Sequence, residues 1–169
     1  MEPTVESGQP PVQSEAGSGE SAGAFRICIV TFAKESLAID LSQVREVFKI
    51  DWITPVPGMP PVLVGVANIR GSIVPVVDLH PSLGLPSVTV PRYAVVVGHG
   101  ARGVGILVND VPEIQTAAVE DLQEMSSGEE AGACPFISVA LKTAGRTIGM
   151  MDVSRLLVMI ESKVDRQAA

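Results

Sequence analysis

Apolar residues recur at alternate positions, or in short unbroken runs, through most of the chain after residue 24. Such runs, bounded by Gly, Pro and polar clusters, predict β-strands. The predicted strands span residues 25–32, 37–40, 48–56, 65–69, 73–78, 93–98, 104–110, 113–117, 136–143 and 146–152. Residues 42–47 are predicted as a single helical turn with Ser42 as its N-cap. Helical spacing predicts a closing amphipathic helix, whose apolar positions are Val153, Leu156, Leu157, Ile160 and Val164.

The chain also contains an internal duplication. Residues 37–47 (LAIDLSQVREV) align with residues 104–114 (VGILVNDVPEI) at a constant offset, and residues 64–83 parallel residues 137–157. Each copy is predicted to run strand, turn, strand, Asp and apolar turn. Many short strands with little helix favour small barrels or a sandwich, so we expect two similar β units.

Domain boundaries follow from composition. Residues 1–24 are rich in Pro, Gly, Ser and Glu and poor in large apolar groups, which predicts a disordered acidic tail. The folded domain is expected over residues 25–162, and residues 163–169 are expected to form a flexible end. The tail carries four glutamates and neither Lys nor Arg, so it supplies more than half of the net charge of −7. No basic footprint is visible, which argues against a nucleic-acid partner.

The overall hydropathy raises the question of a membrane. Hydrophobic residues make up 46% of the chain, but its longest uncharged stretch, residues 52–69, contains four prolines and two glycines. Such a stretch cannot form a continuous spanning helix. No signal-peptide pattern is visible, so no membrane insertion is expected. The two cysteines, Cys28 and Cys134, form no CxxC motif, which fits a reducing cytosol.

The sequence contains few side chains that could carry catalytic chemistry. GHGARG (98–103) matches the GxGxxG pattern of dinucleotide loops, but a strand-like run follows it where that motif requires a helix. It is therefore interpreted as a glycine-rich hairpin turn. His80 and His99 lack metal-ligand spacing and are interpreted as surface residues. No nucleophile elbow occurs. We therefore expect no enzyme activity, no metal and no cofactor.

A binding module fits the pattern better. Runs such as YAVVVG (93–98) and IVPVVD (73–78) are apolar on both strand faces, whereas a small barrel needs only one apolar face toward its interior. Packing of one barrel on the other, or a partner protein, would cover the second face. The sequence alone leaves these two possibilities open.

The stretch GVANIRGSIVPVVDL (65–79) closely resembles the signature of CheW-like domains, the coupling proteins of bacterial chemosensory arrays. The following LGL (83–85), residues 104–114 and residues 145–157 also match, so the resemblance covers about residues 25–162. It implies a mainly β fold of two five-stranded SH3-like barrels with short helical turns and a C-terminal helix. This sequence departs from the family pattern at three positions: Ile69 stands where Leu is usual, His80 where Arg is common and Phe136 where Tyr is frequent.

The resemblance also implies a function and its partners. CheW-like proteins are non-catalytic adaptors between chemoreceptor cytoplasmic tips and the regulatory domain of a CheA-type histidine kinase, in the cytoplasm at membrane-associated receptor arrays. By matching position, the expected kinase-binding residues are Val44, Glu46 and Val47. The residues expected at the receptor-binding surface or inter-barrel groove are Gly65, Asn68, Arg70, Gly71 and Val111.

Two alternatives remain open from the sequence. An adaptor of a pilus-motility or other chemosensory pathway would carry the same motifs. A small-molecule-binding β-barrel would belong to a different functional class. Arg70 itself has two possible roles, because it could fix its turn against a nearby acid or present its guanidinium to a partner.

Overall fold

The computed structural model describes residues 23–86, 92–125 and 134–168 of the 169-residue chain. The predicted tail, apart from its last two residues, lies outside the described residues. The elements in chain order are β1 (Ala24–Phe32), β2 (Glu35–Asp40), β3 (Val44–Lys49), β4 (Leu63–Ile69), β5 (Ser72–Val77), β6 (Tyr93–His99), β7 (Arg102–Val108), β8 (Glu113–Ala118), β9 (Leu122–Glu124), β10 (Ile137–Thr143), β11 (Arg146–Met151) and α1 (Val153–Ala168).

The strands form two sheets, one from both ends of the described chain and one from its middle. The first has the order β8-β1-β2-β11-β10-β9, and the second has the order β3-β6-β7-β5-β4. In each sheet, every strand contributes apolar side chains to a single small cluster. A sheet whose strands all point into one cluster is rolled into a barrel. We call them the terminal barrel and the central barrel.

Three apolar clusters explain why several strands are apolar on both faces. On β1, Ile27 and Ile29 point into the terminal barrel, whereas Cys28 and Val30 join a larger cluster. On β6, Ala94 faces the central barrel's interior and its neighbours join the same larger cluster. This third cluster lies between the barrels and includes residues of α1. Packing of the barrels on each other therefore covers the second apolar face of β1 and β6.

The predicted duplication is present, and the two copies exchange strands. β4 and β5 match β10 and β11 residue for residue, with a register shift at the same point of both hairpins (Leu63/Gly65 and Ile137/Val139). The first copy nevertheless places β1 and β2 in the terminal barrel and β3 to β5 in the central barrel. The second copy does the reverse. Each barrel thus combines strands from both copies, which makes the two barrels one folding unit.

The C-terminal helix seals the inter-barrel cluster. Leu156 is fully buried, and Leu157 and Ile160 are nearly so. At the surface, Arg102 at the start of β7 contacts both carboxylate oxygens of Glu161 at 2.9 Å. Among helices in the described ranges, none combines the length and hydropathy that a membrane crossing requires.

Three sequence predictions about elements were wrong, and one strand was missed. The helical turn predicted over 42–47 is a 3-10 turn at Leu41–Gln43 followed by β3, and its cap is Asp40, whose side chain accepts a hydrogen bond from the Ser42 backbone N–H. The strand predicted over 48–56 ends at Lys49, and beyond it only Thr54 forms a bridge, in a segment whose prolines lack an N–H donor. The short β9 was not predicted and gives the terminal barrel six strands. The helix continues to Ala168, past the predicted boundary at residue 162.

Candidate functional site

A tight turn at the tip of the β4–β5 hairpin carries Arg70, one of the exposed residues among the predicted sites. Arg70 and Gly71 both have positive φ, at 50° and 84°, as a two-residue hairpin turn of the favoured hand requires. Asn68 Oδ1 accepts a hydrogen bond from the Gly71 N–H at 2.9 Å, which fixes the turn. The Arg70 side chain is 84% exposed. Asn68 and Gly71 therefore shape the turn, and Arg70 is presented by it.

The Arg70 guanidinium also reaches across to another strand. Its Nη2 lies 2.9 Å from Oε1 of Glu46 on β3, and the Glu46 side chain is 27% exposed. β3 and β4 are the two margins of the central sheet, so this ion pair spans the seam where the barrel closes. An exposed pair of this kind contributes at most about 1 kcal/mol to stability. The pair joins a residue predicted for the receptor to one predicted for the kinase, so the two predicted surfaces meet here.

Exposed apolar side chains flank this ion pair in the chain. Val47, next to Glu46, is 40% exposed, and Ile73, which pairs with Asn68 in the β4–β5 ladder, is 66% exposed. Val44, at the start of β3, is half-buried and packs against the inter-barrel cluster. Ile73 was missed because the run on β5 is apolar at nearly every position, so the sequence has no alternation to mark the outward face.

The seam beside β3 also exposes the protein's single tryptophan. Trp52 follows β3 and is 78% exposed. It borders a cavity of about 210 Å³ between the end of β3 and β4, also lined by Phe48, Val66 and Asn68. Trp52 was missed because it was assigned to a predicted strand that is not formed.

Gly65 is buried, and its missing side chain allows the central barrel to close. A Cβ at this position would lie 2.2 Å from the Thr54 carbonyl oxygen and 2.9 Å from Ile53 Cγ2. Thr54 pairs there with Val66 through two backbone hydrogen bonds of 2.8 and 2.9 Å. The missing side chain therefore lets the β3–β4 connection lie against β4, and Gly65 is not itself a surface contact.

Val111 lies in a different part of the molecule. It belongs to the segment that links β7 of the central barrel to β8 of the terminal barrel, and it is 64% exposed. Ile114, the next large apolar residue, is 52% exposed. The predicted receptor-binding set is thus divided between the β4–β5 hairpin with its seam and this link between the barrels.

GHGARG forms the predicted hairpin, between β6 and β7, and its glycines accommodate an arginine. Arg45 of β3 lies over Gly98 and Gly103, which face each other across the hairpin, and donates to the Gly100 carbonyl. A Cβ on Gly98 would approach the Arg45 guanidinium carbon to 2.4 Å. A strand follows where a dinucleotide loop requires a helix, so this motif is structural. Within the described part of the chain, no group of three or more His, Cys, Asp or Glu side chains is placed to hold a metal ion.

The interpretation of His80 as a surface residue was wrong. His80 is 1% exposed and Asp78 beside it is 5% exposed, whereas His99 is exposed as predicted. The two cysteine thiols are also buried, and burial raises the pKa of Cys28 and of Cys134. Chain position gave no sign of the His80 burial, because His80 follows a strand end and precedes a Pro-containing turn.

Comparisons with known proteins agree with this architecture. The family model described as CheW-like domain matches residues 26–161. Chemotaxis protein CheW of Klebsiella aerogenes is 28% identical over 142 residues, which cover 83% of this chain and 85% of that protein. Protein PilI of Pseudomonas aeruginosa is 31% identical over 129 residues, covering 75% of this chain and 70% of that one. The crystal structure of the scaffolding protein TtCheW from Thermoanaerobacter tengcongensis is similar in fold, with a TM-score of 0.64 at 24% identity over 75% of this chain and 88% of that one.

Proposed function

This chain belongs to the CheW-like family, and we propose that it is a non-catalytic chemotaxis adaptor that couples chemoreceptors to a CheA-type histidine kinase. Its place would be the cytoplasmic side of a receptor array. The function requires two protein-binding surfaces on a rigid body. The inter-barrel cluster provides that rigidity, because it ties both barrels and the helix into one unit.

The observation that carries this proposal is the Glu46–Arg70 pair with its exposed apolar neighbours. Protein interfaces combine apolar anchors with a few charged groups, and arginine is enriched at their energetic centres. Val47 and Ile73, which neighbour the pair in the chain, supply exposed apolar area on β3 and β5, and Arg70 supplies a guanidinium that remains largely accessible while it contacts Glu46. This composition suits a protein partner better than a small ligand.

We propose that β3, with Val44, Glu46 and Val47, faces the kinase regulatory domain. The receptor tip would contact Arg70 and the exposed Val111. Gly65, Asn68 and Gly71 would act indirectly, by shaping the hairpin and the seam that present Arg70. The ion pair would then form the border that the two partners share.

The test is binding of the full-length protein to a CheA regulatory domain and, separately, to a receptor-tip fragment from the same organism, by calorimetry. Arg70→Glu is expected to weaken receptor binding and Glu46→Lys to weaken kinase binding, each by roughly tenfold, which corresponds to one charge-assisted contact. Arg146→Glu, in the matching β10–β11 hairpin, is the charge-reversal control and should leave both affinities unchanged.

A charge-swapped double variant, Glu46→Lys with Arg70→Glu, separates an internal role from a partner contact. The swap keeps an ion pair and reverses the surface charges, so binding should stay weak if partners contact these groups. Recovery of both affinities would contradict the proposed surfaces. Binding of the wild-type protein to neither partner would contradict the function itself.

An adaptor in a pilus-motility pathway is the second candidate, because Protein PilI of Pseudomonas aeruginosa is among the relatives at 31% identity. The same binding assay separates the two, with kinase and receptor fragments taken from each chemosensory gene cluster of the organism. A thermal-shift screen with nucleotides and metals tests the small-molecule alternative. A saturable stabilisation in that screen would favour a ligand-binding barrel over an adaptor.

A further inference from the structure

A buried polar network lies where the two barrels meet, and the function proposed above does not use it. His80 follows β5 and is the most deeply buried polar residue in the described ranges. Its Nδ1 lies 2.6 Å from Asp78 Oδ1, the same oxygen that accepts a 3.0 Å hydrogen bond from the His80 backbone N–H. The Phe32 ring meets the imidazole edge-on, with centroids 5.2 Å apart. The ring is therefore held in one orientation.

The other ring nitrogen reaches a residue at the end of β7. Nε2 lies 2.8 Å from Asn109 Oδ1. That oxygen also accepts a 3.0 Å hydrogen bond from the Ala33 backbone N–H. Because an amide oxygen only accepts hydrogen bonds, the imidazole Nε2 is the donor in the bond to Asn109. The Asn109 backbone N–H donates to the Thr31 carbonyl at 3.2 Å.

These bonds connect three segments of both barrels. Asp78 and His80 follow β5 and Asn109 follows β7, all in the central barrel, whereas Ala33 forms the β1–β2 turn of the terminal barrel. Asn109 is also the first residue of the link that carries Val111. The exposed Val111 thus lies two residues from an Asn that bonds to His80 and Ala33.

Among the described residues, the duplicated junction on the other side lacks this connection. The residues that correspond to Asp78, His80 and Asn109 are Asp152, Ser154 and Ser42. Asp152 Oδ1 accepts from the Arg155 N–H at the start of α1, while Ser42 bonds to Asp40. A cavity of about 400 Å³ lined by these side chains occupies that place. The network is therefore specific to the junction beside Val111 and is not a general requirement of the fold.

We propose that His80 is a positioning residue for the receptor-binding surface, acting through the bond from its Nε2 to Asn109, which sets the place of Val111. The part of this inference that concerns receptor binding rests on the proposed function. The part that concerns structure, namely that His80 holds Asn109 and the β1–β2 turn in place, can be measured on the isolated protein.

The test compares two substitutions of matched polarity. In His80→Gln, the longer amide can donate from nearly the position of Nε2 and keep the bond to Asn109. In His80→Asn, the shorter amide reaches only the position that Nδ1 occupies in the wild type. It can therefore hydrogen-bond to Asp78 but not to Asn109. Both variants lose the ring contact with Phe32, so that loss does not distinguish them.

Amide hydrogen exchange at Ala33 is the direct measurement, because its N–H donates to Asn109. Exchange is expected to accelerate roughly tenfold in His80→Asn, as loss of about one part-buried hydrogen bond implies, and to stay close to wild type in His80→Gln. Receptor-tip affinity should follow the same order, while affinity for the kinase regulatory domain stays unchanged in both. Should His80→Asn fail to fold, His80→Leu removes the same bond and leaves Asn109 Oδ1 in place as the acceptor of the Ala33 N–H.

Equal behaviour of the Gln and Asn variants at Ala33, or an unchanged Ala33 in His80→Asn, would overturn the proposal. A loosened turn with unchanged receptor affinity would also overturn it, and Val111→Ser then identifies the cause. If Val111→Ser also binds the receptor tip normally, the proposed receptor surface has failed. If Val111→Ser binds weakly, only the positioning role has failed.

Discussion

Replacing Gly65 by alanine tests the closure of the central barrel at the seam beneath Arg70. The added Cβ would lie 2.2 Å from the Thr54 carbonyl oxygen and 2.8 Å from its carbon, distances at which the backbone must move. That oxygen accepts the Val66 N–H, and the Thr54 N–H donates back to Val66. Displacing Thr54 therefore breaks the bridge that holds the β3–β4 connection against β4.

The cost follows from the two hydrogen bonds. Each contributes about 1 kcal/mol net, so their loss costs about 2 kcal/mol. The lower entropy of alanine in the unfolded chain returns about 0.4–1 kcal/mol. The free energy of unfolding should therefore fall by roughly 1–2 kcal/mol, which for a domain of this size lowers Tm by roughly 2–8 °C.

Urea and thermal unfolding of the full-length protein measure this effect, with Gly105→Ala as the matched control. Gly105 is also a buried strand glycine of the central barrel, but a Cβ there meets its nearest atom, the Pro75 carbonyl oxygen, at an ordinary 3.6 Å. The control should be as stable as wild type or slightly more stable. Equal stability of the two alanine variants would refute the argument that Gly65 is required by a close backbone approach.

Three further predictions concern stability. Burial raises the pKa of Cys28 and of Cys134, so the unfolded chain would lose these protons near the usual thiol value of 9.0 while the native state keeps them. The free energy of unfolding is therefore expected to fall as pH rises through 9.0, and to fall less steeply in Cys28→Ala. Urea titrations between roughly pH 7 and 10 measure this, and identical slopes of stability against pH in the two proteins would contradict it. Gly103→Ala would place a Cβ 2.9 Å from Arg45 Nη1 but 3.4 Å from the Val97 carbonyl oxygen, so it should displace the guanidinium of Arg45 and cost about 1 kcal/mol. That cost should disappear in an Arg45→Ala background, which a double-mutant cycle measures. Leu156→Ala should lower the free energy of unfolding by about 2–5 kcal/mol, because this side chain is fully buried. It lies in the cluster shared by both barrels, so unfolding should remain a single cooperative transition, and two separate transitions would show that the barrels unfold independently.

Signals between residues close in the chain specify the local elements, and the repeated pattern specifies the duplication. Strand alternation, the two-residue turns and the helical spacing of α1 involve residues close in the chain, and these signals placed most strands within one or two positions of their observed bounds. The motif around Arg70 and Gly71 led to the family, which the comparison over residues 26–161 confirmed. Where local signals conflicted, as at Ser42 and over residues 50–56, pairing with distant strands decided the conformation.

The assignment of strands to barrels and the meeting of distant side chains emerge only in the folded protein. Arg70 contacts Glu46, and His80 contacts Asn109, across 24 and 29 positions of chain. No local pattern encodes such contacts, because the first depends on closure of the central barrel and the second on the exchange of strands between the two copies. The exchange buries the second apolar faces of β1 and β6 in one shared cluster. It also draws a histidine that the sequence placed at the surface into the junction, where paired hydrogen bonds offset the cost of burying it.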